Sequence, residues 1–490
     1  MESMVSPLRV SPVNEVPVRE QGRYVLYWMT AYRRSRYNHA LEYAVEMARD
    51  LDRPLLVMEG LRVGYPWACD RFHRFVLDGM RANREAFEAA GVRYYPYVER
   101  EEGQGKGLLK RLSEEACAVV CDDWPAFFLP RMRKAAAEQV TTALIGVDSN
   151  GMVPVKAPEK MFLRAYDFRR WIHDRAEKIA AAPIREEPLK GVEWGDPVAV
   201  PKGVEERWPE ATEEMLEASE EVLGKLGIDH SVTVSEFRGG YREASNRLRR
   251  FVEEQLSDYE DRRNHPGEQA TSQLSPYLHF GHISGREIFE AIRAREGWEP
   301  EKIDRSRHGK NSGFWGMSGS AEAYLDQVLT WRELGLNRCV WDPEGYDQYE
   351  SLPEWAKETL REHAEDERPY VYSLEEFDAA ATHDELWNAA QRELKQTGIM
   401  HNYMRMLWGK KILHWSKTPR EALDIMVELN NRYGLDGRDP NSYSGIFWVL
   451  GRFDRPWGPE REVFGKVRYM TSKSTRRKFN VDAYLERFGA

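Results

Sequence analysis

The sequence predicts an α/β fold in two parts: a doubly wound parallel sheet in the N-terminal third and an all-α domain in the C-terminal half. Three observations carry this expectation. Short apolar runs alternate with amphipathic helical stretches between Tyr24 and Val147. A proline-rich stretch without periodicity then runs from Pro183 to Pro209. Beyond it the apolar spacing turns almost wholly helical and carries capping signals.

In chain order, Tyr24–Met29 (YVLYWM) reads as a buried strand, His39–Asp50 as an amphipathic helix and Pro54–Glu59 (PLLVME) as a second strand. Phe75–Ala90 has a helical pattern and Val92–Val98 an extended one; Ala118–Cys121 and Thr142–Val147 supply two further strands. Strands separated by helices imply a parallel sheet covered on both faces. Such sheets bind ligands at the carboxyl ends of their strands, near the point where strand order reverses. No G-x-G-x-x-G or Walker loop is present, so an ordinary dinucleotide or nucleoside-triphosphate site is not expected. The expected organisation is a disordered lead-in over 1–20, the sheet domain over 21–182, a surface linker over 183–215 and the helical domain over 216–490. Within the last, Thr382-x-x-Glu385 is a capping box for a helix ended by Gly398. A second box, Thr418-Pro419-x-Glu421, opens a helix stopped at Gly434, and Asn311–Ser320 reads as a mobile Gly/Ser loop.

At 490 residues the chain exceeds a single core, and 41% hydrophobic residues with 16 tryptophans allow large ones. No apolar run reaches the length of a membrane span, and the first residues lack the apolar stretch of a signal peptide. Cys69, Cys117, Cys121 and Cys339 are scattered without metal-ligand spacing; Cys117 and Cys121 are spaced to share a helix face, and free thiols in a reducing cytoplasm are expected. The net charge of −10 does not advertise nucleic-acid binding, but Arg461–Lys478 holds seven basic residues against one acidic, enough for a local phosphate-binding patch or a solvated tail.

Trp387, Trp408 and Trp415 are the most informative residues. Trp408 and Trp415 are seven apart, so both rings leave one helix face, and Trp387 lies on the preceding helical segment. Spacing alone leaves two readings open, a Trp-rich core and an electron relay from a buried point to the surface. The segments around them, THDELWNAAQ, MHNYMRMLWGKKILHW, LDGRDPNSYSGIFW and GKVRYM, together resemble class II photolyases. YVLYWMTAYRRSRYNHALEYA, VDSNGMVPV and SQLSPYLHFGHIS match as well, so the resemblance runs from about residue 20 to the C-terminus.

The resemblance implies a Rossmann-like antenna-type domain, a helical FAD-binding domain and light-driven repair of cyclobutane pyrimidine dimers. Reduced FAD would pass an electron to a dimer flipped out of UV-damaged DNA. It also implies roles for individual residues. Thr271, Ser272, Gln273, Leu274 and Ser275 would grip the FAD diphosphate; Asn430 would face flavin N5; Arg405 and Asp436 would form a charge pair beside the ring system. Trp408, Trp387 and Trp415, in that order from flavin to surface, would carry electrons. Met406, Trp331 and Trp448 would line the lesion pocket, Arg455 and Trp457 would stand on a hairpin that fills the gap in the duplex, and Lys466 and Arg468 would meet phosphates. An 8-hydroxy-5-deazaflavin antenna is expected in the N-terminal domain, with no metal. A monomer in the cytoplasm or on the nucleoid is the expected state.

The sequence departs from the family pattern in three places. Gln327 stands where the family usually has a Glu that stabilises the dimer radical anion, and Asp326 beside it is expected about 100° away around a helix. Ile399 and Asn402 alter the usual TGKMHGYMRM run, and the hairpin after Trp448 is one residue shorter. Gln at position 327 is familiar from (6-4) photolyases and some cryptochromes, so (6-4) specificity or a cryptochrome-like photoreceptor are the alternatives.

Overall fold

The computed structural model describes residues 3–489, and these pack into two compact units that interleave along the chain. One unit comprises the chain up to Glu159, Glu177–Arg249 and Gln273–Ile292; the other comprises Lys160–Ala176, Arg250–Ser272 and the chain from Arg293. The simple order of domain, linker and domain expected from composition is therefore corrected. Residues 216–249, helical in pattern, group with the sheet, and residues 160–176 group with the helices.

The first unit is built on a six-stranded sheet: β1 Val10–Pro12, β2 Tyr24–Met29, β3 Leu55–Leu61, β4 Arg93–Val98, β5 Ala116–Asp122 and β6 Ala143–Val147, in the order β1-β6-β5-β2-β3-β4. All pairs are parallel except β1 with β6. Every residue of β2 and β5 is buried, as covering both faces of a parallel sheet demands. Strand order reverses between β2 and β5, and there Asp122 accepts hydrogen bonds from the Thr30, Ala31 and Tyr32 amides (2.7–2.9 Å) and the Tyr27 hydroxyl (2.7 Å). That buried carboxylate fixes the path of the chain leaving β2.

Three expectations change here. The lead-in is not featureless: β1 pairs with β6, held by buried Arg9, whose guanidinium donates to the Asp148, Gly151 and Met152 carbonyls. The stretch 183–215 runs over the sheet unit but is anchored by Trp208, buried beside Val204 with its indole donating to the Gln104 carbonyl at 2.9 Å. Cys117 and Cys121 lie on β5 rather than on a helix, and all four cysteines are buried and outside any disulfide.

In the second unit the long helices include Glu385–Thr397, Asn402–Trp415, Pro419–Tyr433 and Pro440–Val449. The first is capped by Asp384, which accepts from the Trp387 amide, while Thr382 instead binds Asn388; Gly398 closes it at φ 79°. Thr418 caps the third and Pro419 opens it as expected; Gly434 ends it in extended conformation. Phe314 and Trp315 are buried, so the Gly/Ser loop is pinned to the core. Between the helices Gly319–Leu325 and Arg332–Trp341 lies a π-helical turn, Asp326–Trp331, that the sequence did not predict. Among the described residues, no helix is long and apolar enough to cross a membrane.

Candidate functional site

The three tryptophans are all buried, Trp387 and Trp415 almost completely and Trp408 at 2% exposure. The Trp408 indole N–H donates to Gln391 Oε1 at 2.8 Å, and the Trp387 indole N–H donates to the Trp408 backbone carbonyl at 3.0 Å. The Trp387 and Trp415 rings meet edge to face at 6.2 Å. The expectation that Trp415 reaches the surface is corrected. Spacing fixes a helix face, not depth. Half-buried Tyr372 (5.8 Å, hydroxyl on His383 Nδ1 at 2.7 Å) and exposed His383 (4.9 Å) stand beside its ring, and Lys411 lies over it at 4.9 Å.

Asn430 is buried where its helix ends, its amide donating to Ser442 Oγ at 2.8 Å and Asn431 Oδ1 at 3.2 Å. Arg405 and Asp436, far apart in sequence, form the expected pair: one guanidinium nitrogen contacts both carboxylate oxygens at 2.9 and 3.2 Å. Behind Arg405, Glu393 accepts from the Tyr484 hydroxyl (2.7 Å) and the His401 amide (3.1 Å), and burial pushes its pKa up to about 7. Sequence reasoning missed this carboxyl group.

Gln327 lies half-buried in the π turn, one residue before the buried Val328. Its neighbour Asp326 is engaged in a two-point ion pair with Arg169 (2.7 and 3.0 Å). Trp331 ends the same turn, half-buried. Met406 points its Cε at Gly445, on the helix that bears Trp448.

Trp448 is half-buried between two cations: Arg468 lies 5.3 Å from its ring and Lys410 4.8 Å. Lys410 is wholly buried on the Trp408 helix and donates to the Val449 carbonyl at 2.6 Å; burial pushes its pKa down to about 7. Trp457 stacks with Arg468 at 4.0 Å and Arg455 at 4.5 Å, and its indole donates to Asp454 at 3.1 Å, which also pairs with Arg468. The 457–466 hairpin closes with the Trp457 amide on the Lys466 carbonyl at 2.8 Å. Lys466 is exposed beside Glu460. The basic stretch is thus partly neutralised, since Arg476 pairs with Glu385.

The Thr271–Ser275 segment begins with Thr271 and Ser272, half-buried, Ser272 Oγ accepting from the Tyr324 hydroxyl at 2.7 Å. Gln273 takes φ 54° and its side chain accepts from Arg247 at 2.9 Å; Leu274 follows in right-handed conformation and exposed Ser275 opens a helix of only five residues. A left-handed residue followed by a right-handed one turns successive amides to one side, an anion-binding geometry. So short a helix adds little dipole.

The sheet with its interleaved helical unit is a photolyase architecture: a bacterial class III photolyase from Agrobacterium tumefaciens superposes with a TM-score of 0.65 at 18% identity, over 95% of this chain and 86% of that one. No family model matches the chain. Full-length relatives do: the deoxyribodipyrimidine photo-lyase of Methanothermobacter thermautotrophicus is 36% identical over 485 residues, 99% of this chain and 98% of its own. That of Oryza sativa is 34% identical over 489 residues, covering 95% of this chain and 87% of the relative. The chain belongs to the deoxyribodipyrimidine photo-lyase family and is an enzyme, a carbon–carbon lyase of that family.

Proposed function

We propose that this enzyme repairs cyclobutane pyrimidine dimers in DNA with light, as a photolyase of class II type using FAD. The observation that carries the reading is the buried series in which Trp387 hydrogen-bonds the Trp408 backbone carbonyl and meets the Trp415 ring edge to face, in the same unit as Asn430 and the Arg405–Asp436 pair. The residues fit a flavin: Gln391 Nε2 is buried without a hydrogen-bond partner, a donor left over by the protein itself. When bound in reduced form, FAD supplies the excited electron that opens the cyclobutane ring.

The chain's own residues hold and orient. Arg405 and Asp436, neutralising one another, would give a bound ring system a polar edge at no net charge. Asn430 offers an amide, able to serve either protonation state of N5. Thr271, Ser272, Gln273, Leu274 and Ser275 present hydroxyls and turned amides suited to a diphosphate. Trp331 and Trp448 offer flat faces for an extruded dimer, Met406 an apolar wall and Gln327 a hydrogen-bonding amide. Arg455, Trp457, Lys466 and Arg468 form the surface that would meet damaged DNA as a monomer, in the cytoplasm or on the nucleoid.

A deazaflavin-type antenna is compatible with the rings after β3 and β5, where Tyr65 stacks on Phe128 at 5.4 Å and Trp67 on Phe127 at 6.0 Å. One observation favours a second reading: with Gln327 in place of a carboxyl group and Asp326 held by Arg169, the lesion pocket suits a (6-4) product or a signalling flavoprotein. Purified protein should absorb like FAD, and blue light should restore thymines in an oligonucleotide carrying one cyclobutane dimer. Trp408→Phe should abolish photoreduction of oxidised FAD yet leave repair by chemically reduced enzyme intact. A colourless protein that FAD cannot reconstitute refutes the proposal; flavin binding without repair of either lesion supports the photoreceptor.

A further inference from the structure

The two indole N–H groups at the start of the proposed relay are bound to acceptors that have almost no affinity for a proton. Trp408 donates to the Gln391 side-chain carbonyl at 2.8 Å and Trp387 to a backbone carbonyl at 3.0 Å. Gln391 is fully buried, one turn after Trp387 on the same helix, and among the described residues no carboxylate or imidazole hydrogen-bonds either indole. The surroundings change at Trp415. His383 lies edge-on at 4.9 Å and His414 stacked at 6.4 Å. Burial lowers the pKa of both histidines, His414 to about 4, so at neutral pH both are free bases.

This asymmetry has a chemical consequence. A tryptophan that gives up one electron becomes a radical cation whose indole N–H is a much stronger acid than before. If a base takes that proton, the neutral radical can be refilled only by an electron and a proton together, and the hole stays where it is. If the acceptor is an amide carbonyl, the proton stays on nitrogen and the hole can be refilled by an electron alone.

We propose that Gln391 is a positioning residue for the relay, which fills the place beside the Trp408 indole with a group that cannot take its proton, so that the first oxidised tryptophan stays a radical cation and the hole moves onward. The inference rests on the relay reading above. In the step, one electron leaves Trp408 for the photoexcited oxidised flavin, one electron from Trp387 then refills Trp408, and one from Trp415 refills Trp387, which leaves the hole on Trp415. No proton moves at Trp408 or Trp387. Proton loss is deferred to the Trp415 end, where the bases are. The same amide has its Nε2 buried and unpartnered, so Gln391 holds Trp408 with one end and keeps an unused donor at the other.

The test is transient absorption of FAD-loaded protein after a laser flash, where cation and neutral tryptophanyl radicals have distinct visible bands. Gln391→Glu keeps size and acceptor but adds a base; Gln391→Met keeps size and removes the acceptor. In wild type, the early species should be radical cations whose migration is insensitive to replacing H2O by D2O. Gln391→Glu should show an early neutral radical, a kinetic isotope effect of about twofold or more on its formation, and at least a tenfold lower photoreduction yield. Gln391→Met should still show an early cation, without that isotope effect. An early cation and wild-type yield in Gln391→Glu would overturn the proposal, as would an early neutral radical in Gln391→Met. Should Gln391→Glu fail to hold flavin, an early deprotonated radical or an isotope effect in wild type alone is sufficient to overturn it, and their absence together with the Gln391→Met result supports it. Trp387→Phe tells the two readings apart: unchanged photoreduction in that variant refutes the relay itself, whatever the Gln391 variants do.

Discussion

Replacing Lys410 by methionine should make stability less dependent on pH, by an amount set by how deeply the lysine is buried. The side chain is wholly enclosed, with Nζ on the Val449 carbonyl and over the Trp448 ring, Asp454 opposing and Arg468 adding to the loss of charge. Its pKa of about 7, against 10.5 for a solvated lysine, means that between those values the unfolded chain binds more protons than the folded one. Stability therefore rises with pH across that window. The cost is fully present below about pH 7 and fades toward pH 10.5. At about 1.4 kcal/mol per pKa unit the full cost is about 5 kcal/mol, of which about 1 remains at pH 10. Methionine fills nearly the same volume and removes the titration, at about 1 kcal/mol for the orphaned Val449 carbonyl. Denaturant unfolding followed by tryptophan fluorescence should show Lys410→Met stabilised by a few kcal/mol at pH 6.5, and level with wild type or slightly weaker at pH 10. A difference between the two proteins that is the same at both pH values would refute the reasoning.

Gln327→Glu should raise the quantum yield of cyclobutane-dimer repair without changing flavin content, since a charged hydrogen bond exceeds a neutral one by about 1 kcal/mol; assay of both lesion types before and after the change decides which lesion the pocket serves. Asp436→Asn leaves the Arg405 charge half-buried without its partner and should weaken FAD retention roughly 30-fold, about 2 kcal/mol, read by titrating apoprotein with FAD. Glu393→Gln keeps an acceptor for Tyr484 and should show the opposite pH trend to Lys410. The raised carboxyl pKa makes wild-type stability fall as pH rises from about 4.5 to about 7, so the variant gains up to about 3 kcal/mol at pH 8 and nothing at pH 4, measured by thermal unfolding.

Much of the sheet was legible because its signals are local. Tyr24–Met29 and His39–Asp50 have the bounds their apolar runs predict, and the other strands differ at their ends by a few residues. The Arg405–Asp436 pair was reached through family resemblance, and the geometry agrees. What escaped has no local signature. Arg9 looks like a surface arginine until the Asp148 loop closes over it. Lys410 is two residues after Trp408, about 200° around the helix from the tryptophan face, and composition gives no hint that a lysine there is enclosed. A π turn leaves the apolar spacing of Tyr324–Arg332 unchanged in sequence and alters only which side chains share a face. Gln391 is one polar residue among many on its helix, and only its position under the Trp408 indole distinguishes it.

The interleaving of the two units bears on how this enzyme can be taken apart. The backbone passes from one unit to the other after Glu159, Ala176, Arg249, Ser272 and Ile292, so five covalent crossings join them. A single cut anywhere, including in the proline-rich stretch, strands part of one core on the wrong fragment. The Thr271–Ser275 segment contains one of those crossings. Chimeras that swap the first half of this chain for that of a relative would therefore exchange pieces of both cores at once. Split-protein reconstitution in which no fragment mixes the two units would need six segments.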